Sequence, residues 1–175
     1  MPAPSADELI DAVDDRNIPI GKVARGEVFS ESTNFRTVHI LVTNPSGDLL
    51  LQRLSPERKR HPLCWGSSAA GYLHSGETYA HAARRSLSEE TGIDAEMVEL
   101  GVTPMRDEGV TKFIGVFTAV ADTAAVGADC QTDELRFWPR AELFTALRKD
   151  PQLFTPSLRH VLGYWEPGSW PGEIP

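Results

Sequence analysis

The chain has 175 residues, 41% of them hydrophobic and 24% charged, which suits one domain with its own core. A net charge of −8 argues against nonspecific binding to nucleic acid or to an anionic membrane, whereas a small phosphorylated ligand needs only a local basic patch or a metal. No apolar run reaches transmembrane length, the acidic N-terminal stretch lacks the apolar segment of a signal peptide, and Cys64 and Cys130 read as isolated reduced thiols of a cytoplasmic protein.

In chain order, residues 1–8 read as a loose leader, 9–13 as a short strand or helical turn, 14–17 as a turn and 18–23 as an extended piece. Residues 37–43 (TVHILVT) and 49–54 (LLLQRL) are strands flanking Asn-Pro-Ser-Gly-Asp, a hairpin whose apolar run predicts a central position. Residues 55–64 form a polar loop with a basic cluster at Arg58, Lys59, Arg60 and His61. Trp65 and small residues through 73 follow, permitting close backbone approach. A helix spans 77–91. Strands are expected within 96–105, over 111–120 and over 132–138, with helices over 141–149 and from Thr155-Pro156 to about 164. The Pro/Gly-rich tail, 166–175, reads as irregular. The pattern predicts one domain with its core at about 37–165, of α/β class, with a mixed sheet packed between helices.

The organising stretch is 71–93, GYLHSGETYAHAARRSLSEETGI. A glycine-bearing loop opens onto the helix, which stops at Gly92, suited to a left-handed cap. Ser75 or the Gly76 backbone serves its N-terminus, with Glu77 in the first turn. Ser86, Glu89 and Glu90 share one face by their i, i+3, i+4 spacing, and Arg85 lies one turn from Glu89. Two adjacent carboxylates near a helix C-terminus oppose the dipole and call for compensation, which a hard divalent cation would supply.

These residues resemble the Nudix box, a pattern of Gly, five residues, Glu, seven residues, then Arg-Glu-U-x-Glu-Glu-x-Gly-U with U aliphatic. Gly71, Glu77, Arg85, Leu87, Glu89, Glu90, Gly92 and Ile93 fall at the required places, and Ser86 stands where the pattern has Glu. The resemblance implies an α/β/α sandwich with a loop–helix–loop box. It implies Mg²⁺, or Mn²⁺ in its place, on Glu89 and Glu90, with the Gly71 backbone as a weaker ligand. It also implies catalytic roles for Glu89, Glu90 and Arg85, and structural roles for Gly71, Glu77 and Gly92, with Glu77 and Arg85 paired. The implied partner is a small-molecule diphosphate, and a homodimer is compatible with the family. The implied activity is metal-dependent cleavage of a phosphoanhydride in a nucleoside diphosphate derivative or related organic diphosphate.

Ser86 complicates that expectation, because the family's Glu here commonly binds metal and in some members is the general base. A serine hydroxyl does neither well. Catalysis would then rest on Glu89 or Glu90, or on a base from another loop, for which Asp107, Glu108, Asp133 and Glu134 are candidates. Otherwise the chain is a silent module that binds a diphosphate. Residues 49–77 also resemble the isopentenyl-diphosphate isomerase branch of the superfamily, which places Arg53 and Arg58 on the diphosphate. That isomerase needs a Cys and a His where this chain has Ala70 and Tyr72, and an acidic motif where it has Lys112, so isomerase chemistry is not expected. His39 reads as a packed core residue, Trp65 as a core tryptophan, and His74 and His81 as residues flanking the box.

Overall fold

The computed structural model describes residues 5–124 and 131–166, so Cys130 and most of the expected tail lie outside the described residues. Nine strands and three α-helices follow one another. β1 (Leu9–Val13) and β2 (Pro19–Ala24) form an antiparallel hairpin of their own. β3 (Phe35–Thr43), β4 (Leu49–Leu54), β5 (Trp65–Gly66), β6 (Ala69–Tyr72), β7 (Met97–Asp107), β8 (Val110–Val120) and β9 (Thr132–Trp138) make the main sheet. The helices are α1 (Tyr79–Thr91), α2 (Arg140–Lys149) and α3 (Pro156–Trp165). No helix among the described residues is long and apolar enough to cross a membrane.

The sheet is mixed: β3 and β8 run parallel over nine residue pairs, from Phe35↔Lys112 to Thr43↔Val120, and the other pairings are antiparallel. Alternation along the strands builds two cores. Val38, Ile40, Val42 and Leu50 face α1 and meet Ala82, Ala83 and Leu87. Leu41, Leu49, Leu51, Ile114 and Val116 face the opposite way and meet Leu143, Leu147, Leu158 and Leu162 of α2 and α3. The architecture is therefore the α/β/α sandwich expected. Trp65 packs edge-on against Trp138, with ring centroids 5.2 Å apart.

The expected hairpin over 37–54 forms, but its strands pair only at Thr43↔Leu49. Beyond that point they splay. β6 takes the freed edge of β3, while β5 and β9 take β4. Ser68, fully buried, bridges the split: its hydroxyl donates to the Leu50 carbonyl (2.6 Å) and accepts from the Val42 amide (2.8 Å). That hydroxyl replaces a missing ladder bond, since an unpaired backbone group here would be costly. The short strands β5 and β6, unrecognised in the sequence, arise because small residues let the chain enter this split.

Of the expected leader, residues 5–8 are described and are tied to the chain that follows. The Gly26 and Arg25 amides donate to the Ala6 and Glu8 carbonyls at 2.9 and 2.8 Å. A third apolar cluster, including Ile10, Val23, Phe35 and Val110, seats the β1–β2 hairpin against the sheet. That hairpin touches the loop before α1: Asp11 accepts from Ser75 Oγ (2.9 Å) and the Gly76 amide (3.1 Å). α1 consequently begins later than expected. Its cap is Thr78, whose side chain accepts from the His81 amide, and Ser75 is engaged by β1 instead. The helix ends on Gly92 at φ 66°, in the left-handed region, with the Gly92 amide bonded to the Ser88 carbonyl.

Candidate functional site

The turn from β6 into α1 is held by one ion pair. Arg85 donates to both Glu77 oxygens, through Nε at 2.9 Å and Nη2 at 2.8 Å, and Nη2 also reaches the Tyr72 carbonyl at 2.9 Å. The His74 amide donates to Glu77 Oε2 at 2.9 Å. Burial alone would raise the Glu77 carboxyl, but the Arg85 and His74 hydrogen bonds outweigh it and hold it below the ordinary range. The fork geometry of a guanidinium suits this double bond and fixes the loop against the helix.

This pair sets a testable expectation. Arg85→Met leaves Glu77 half-buried without its partner and should cost roughly 1–3 kcal/mol at neutral pH. A glutamate depressed in the folded state stabilises above its unfolded pKa, and that stability is lost as pH falls through the folded value. Urea midpoints measured from pH 7 to 3 should therefore fall less steeply for Arg85→Met than for the natural chain. Parallel profiles would refute a stabilising role for the pair.

With α1 so fixed, Ser86, Glu89 and Glu90 face one cavity of about 570 Å³. Glu90 Oε2 accepts from Gln52 Nε2 (2.8 Å) and from the Ala70 amide (3.2 Å), and Gln52 Oε1 accepts from Thr132 Oγ1 (2.6 Å). Helix, β6, β4 and β9 thus all converge on one carboxylate. Glu89 has a side chain 30% exposed, with Arg85 Nη1 at 3.7 Å. Ser86 is 2% exposed and its Oγ has no hydrogen-bond partner. It lies against Gly71, where an added Cβ would stand 2.3 Å from that oxygen. Gly71 is required by this close approach of β6 to α1.

The two arginines assigned by resemblance part company. Arg58 lines the cavity, with Lys59 and Arg60 beside it, and donates to Gln131 Oε1 at 3.4 Å. Arg53 does not line it. Period-two alternation sends Gln52 toward α1 and Arg53 the other way, where it pairs with Asp133 at 2.5 Å and Glu134 at 3.4 Å. Asp133 and Glu134 are accounted for by that same pairing. Asp107 and Glu108 both bind Arg60, at 2.7 and 3.3 Å. His74 lines the cavity and lies 3.0 Å from Glu8, whereas His81 is exposed on the outer side of α1. His39, read as a packed core residue, is buried but also reaches the cavity. Its Nδ1 lies 2.8 Å from Ser67 Oγ, and burial, aided by Lys112 and His160, lowers its pKa to about 3, so it is neutral.

The donor set can be judged for a metal. Among the described residues no three His, Cys, Asp or Glu groups cluster as a ready cation cage. Mg²⁺ does not require one: it is commonly held through one or two carboxylates and completes its shell with waters and substrate phosphates. Glu89 and Glu90 would supply those carboxylates, and the Ser86 hydroxyl, lining the same cavity, has no hydrogen-bond partner. The residues fit a largely hydrated hard cation.

A sheet between two helical layers, with a loop–helix that turns adjacent carboxylates into a cavity beside a basic loop, defines an α/β/α domain with acidic and basic side chains around one cavity. The chain belongs to the Nudix family: the family model for the NUDIX domain matches residues 33–158. An uncharacterized Nudix hydrolase of Nostoc sp. is 38% identical over 115 residues, covering 63% of this chain and 68% of that protein. An isopentenyl-diphosphate Delta-isomerase of Nocardia farcinica is 26% identical over 160 residues, covering 87% and 91%. Among solved structures, DR0079 from Deinococcus radiodurans matches with a TM-score of 0.78 at 20% identity, covering 91% of this chain and all of that one. The NUDIX domain of Shewanella oneidensis NrtR, solved with ADP ribose, matches with a TM-score of 0.56 at 16% identity over 74% and 96%. At such identities the two structures speak for the fold alone.

Proposed function

We propose that this protein is a divalent-metal-dependent hydrolase that cleaves a phosphoanhydride bond in a nucleoside diphosphate derivative or a related organic diphosphate. One observation carries the reading: Glu89 and Glu90 share a single cavity with the Arg58–Arg60 loop, so carboxylates for a cation and cationic side chains for phosphate lie around one volume. Mg²⁺ or Mn²⁺ held by Glu89 and Glu90 would neutralise phosphate charge and acidify water. Glu90, braced by Gln52 and the Ala70 amide, is a fixed ligand. Glu89, less engaged, is the residue to take the proton of the attacking water. Arg58 and Lys59 bind and orient the phosphates. Arg85 acts by holding Glu77, and a homodimer stays compatible with this scheme.

The chemistry of the isomerase relatives does not suit this site. Ala70 contributes its backbone amide to Glu90, and the Tyr72 ring stacks on Phe35, centroids 5.1 Å apart, beneath Arg25. Neither is a thiol or imidazole able to protonate an alkene. The serious rival is a silent module that binds a diphosphate, and the buried Ser86 motivates it.

The test is a panel of nucleotides, nucleotide sugars, dinucleoside polyphosphates and isoprenoid diphosphates, incubated with Mg²⁺ or Mn²⁺ while phosphate or nucleotide release is followed. Metal-dependent release is expected for at least one class. Ligand binding at micromolar concentration with no release would establish the binding module instead. Ser86→Glu is the companion variant, and a gain in rate is expected if the natural chain relies on Glu89 and Glu90 alone.

A further inference from the structure

The cavity has a second wall, built from the sheet face opposite α1. Thr37 and His39 of β3, Lys112 of β8 and Ser157 of α3 line it, joined by Arg60 and Asp107. The register places Lys112 opposite Phe35, one same-face position from Thr37. Lys112 is only 7% exposed and donates from Nζ to Asp107 Oδ2 (3.0 Å) and Ser157 Oγ (2.7 Å). Arg60 binds the other Asp107 oxygen and stacks on Phe29 with its Cζ 4.3 Å from the ring centre.

A self-sufficient ion-pair network would end with its donors satisfied, and this one does not. Thr37 is 5% exposed and its Oγ1 has no partner, and Arg60 Nε is buried without one. Two bonds use two of the three Lys112 ammonium donors. The Ser157 hydroxyl, having accepted from Lys112, has its own hydrogen to give. Two cations face one buried carboxylate, since Glu108, the other partner of Arg60, has a side chain 64% exposed. The first turn of α3 adds the positive end of its dipole. Donors are in surplus, and buried donors left unmet are costly.

We propose that this wall is a subsite for a second anionic group of the substrate, a carboxylate or a phosphate lying away from the bond that is cut, received by Thr37, Lys112, Ser157 and Arg60. The proposal rests on the hydrolase reading above and narrows it: the substrate carries an anion at both ends. A cavity of this volume is within the range that holds a ligand of such size. Lys112 is thereby given a role that has nothing to do with an isomerase acid. Burial lowers its pKa, Asp107 opposes the fall, and an incoming anion would oppose it further.

Two experiments on the full chain test this. In the first, inorganic phosphate or acetate is titrated into labelled protein with EDTA present, and amide shifts are followed by NMR. Saturable shifts are expected around Thr37 and Ser157, weakened in Thr37→Val and in Lys112→Met, and retained in Glu90→Gln. The anion that gives the tighter saturation tells a phosphate site from a carboxylate site. In the second, matched pairs are assayed with Mg²⁺: UDP-glucuronate against UDP-glucose, and 2′-phospho-ADP-ribose against ADP-ribose. The more anionic member of one pair should be favoured in kcat/KM by about tenfold or more, the worth of a charge-assisted hydrogen bond. Lys112→Met and the near-isosteric Thr37→Val should erode that preference, read as the ratio of kcat/KM within each pair. Shifts absent or confined to residues 58 and 59, or equal rates within both pairs, would overturn the subsite. Shifts as expected with no turnover of any diphosphate would instead sink the hydrolase reading and leave the anion site standing.

Discussion

Glu90→Gln is expected to reduce metal-dependent turnover by roughly 100-fold or more while leaving the fold intact, because a ligand carboxylate contributes several kcal/mol of charge stabilisation. The change is clean for a structural reason. Glu90 uses Oε2 to accept from Gln52 Nε2 and the Ala70 amide. A glutamine whose carbonyl oxygen takes that place keeps these two hydrogen bonds and loses the charge. The same replacement at Glu89 removes the carboxylate assigned to the attacking water, so its effect should show in kcat with a shifted pH profile rather than in the metal concentration needed for half-activity. The measurements are single-turnover rates against Mg²⁺ concentration for both variants, with urea midpoints as the control on folding. If Glu90→Gln kept the natural rate and metal dependence, Glu90 would not be a ligand.

Much of this site was legible because the box is local. The spacing of Gly71, Glu77, Arg85, Glu89 and Glu90 needs only one loop and one helix to acquire its geometry, so sequence distance fixes spatial distance. The remaining parts are brought in by topology. Gln52 is, with Arg53, one of two polar residues in the run LLLQRL, and that run reads as a buried central strand. Its polarity was the signal that something must satisfy it, but only the sheet order shows that α1 lies across it. Arg53 was misplaced for the same reason: a motif gives position along the strand, and alternation decides which neighbour enters the cavity.

The second wall was hidden more deeply. Thr37 and Lys112 are 75 positions apart and meet only because β3 and β8 run parallel, a pairing no local pattern announces. In the sequence Lys112 stands out only for occupying the place of an acid. The available hint was a lysine inside an alternating apolar strand, VTKFIGVF, where a buried cation must have a partner. The splayed hairpin was equally invisible. Asn-Pro-Ser-Gly-Asp predicts a turn correctly, but nothing in it says that pairing stops after one residue pair and that Ser68 will span the gap.

Gly71→Ala is expected to destabilise the protein by about 1–3 kcal/mol, the usual cost of overpacking, and Ser86→Ala should rescue it. The alanine Cβ would stand 2.3 Å from Ser86 Oγ but 3.5 Å from Ser86 Cβ. The clash is therefore with one oxygen, and β6 cannot retreat freely because it is laddered to β3 through Val38↔Gly71 and His39↔Ala70. Ser86→Ala alone should be neutral or mildly stabilising, since it deletes a buried hydroxyl that has no hydrogen-bond partner. In the double variant two methyl groups meet at ordinary contact distance. A double-mutant cycle on urea midpoints should give a coupling on the order of 1–2 kcal/mol, within the range for residues in direct contact. Additive effects would mean that α1 and β6 stand further apart than this geometry has them. The cycle also bears on catalysis. If the Ser86 hydroxyl holds a water beside the Glu89–Glu90 cation, Ser86→Ala should lower the rate although it does not lower stability, and that opposition separates a chemical role for Ser86 from simple packing against Gly71.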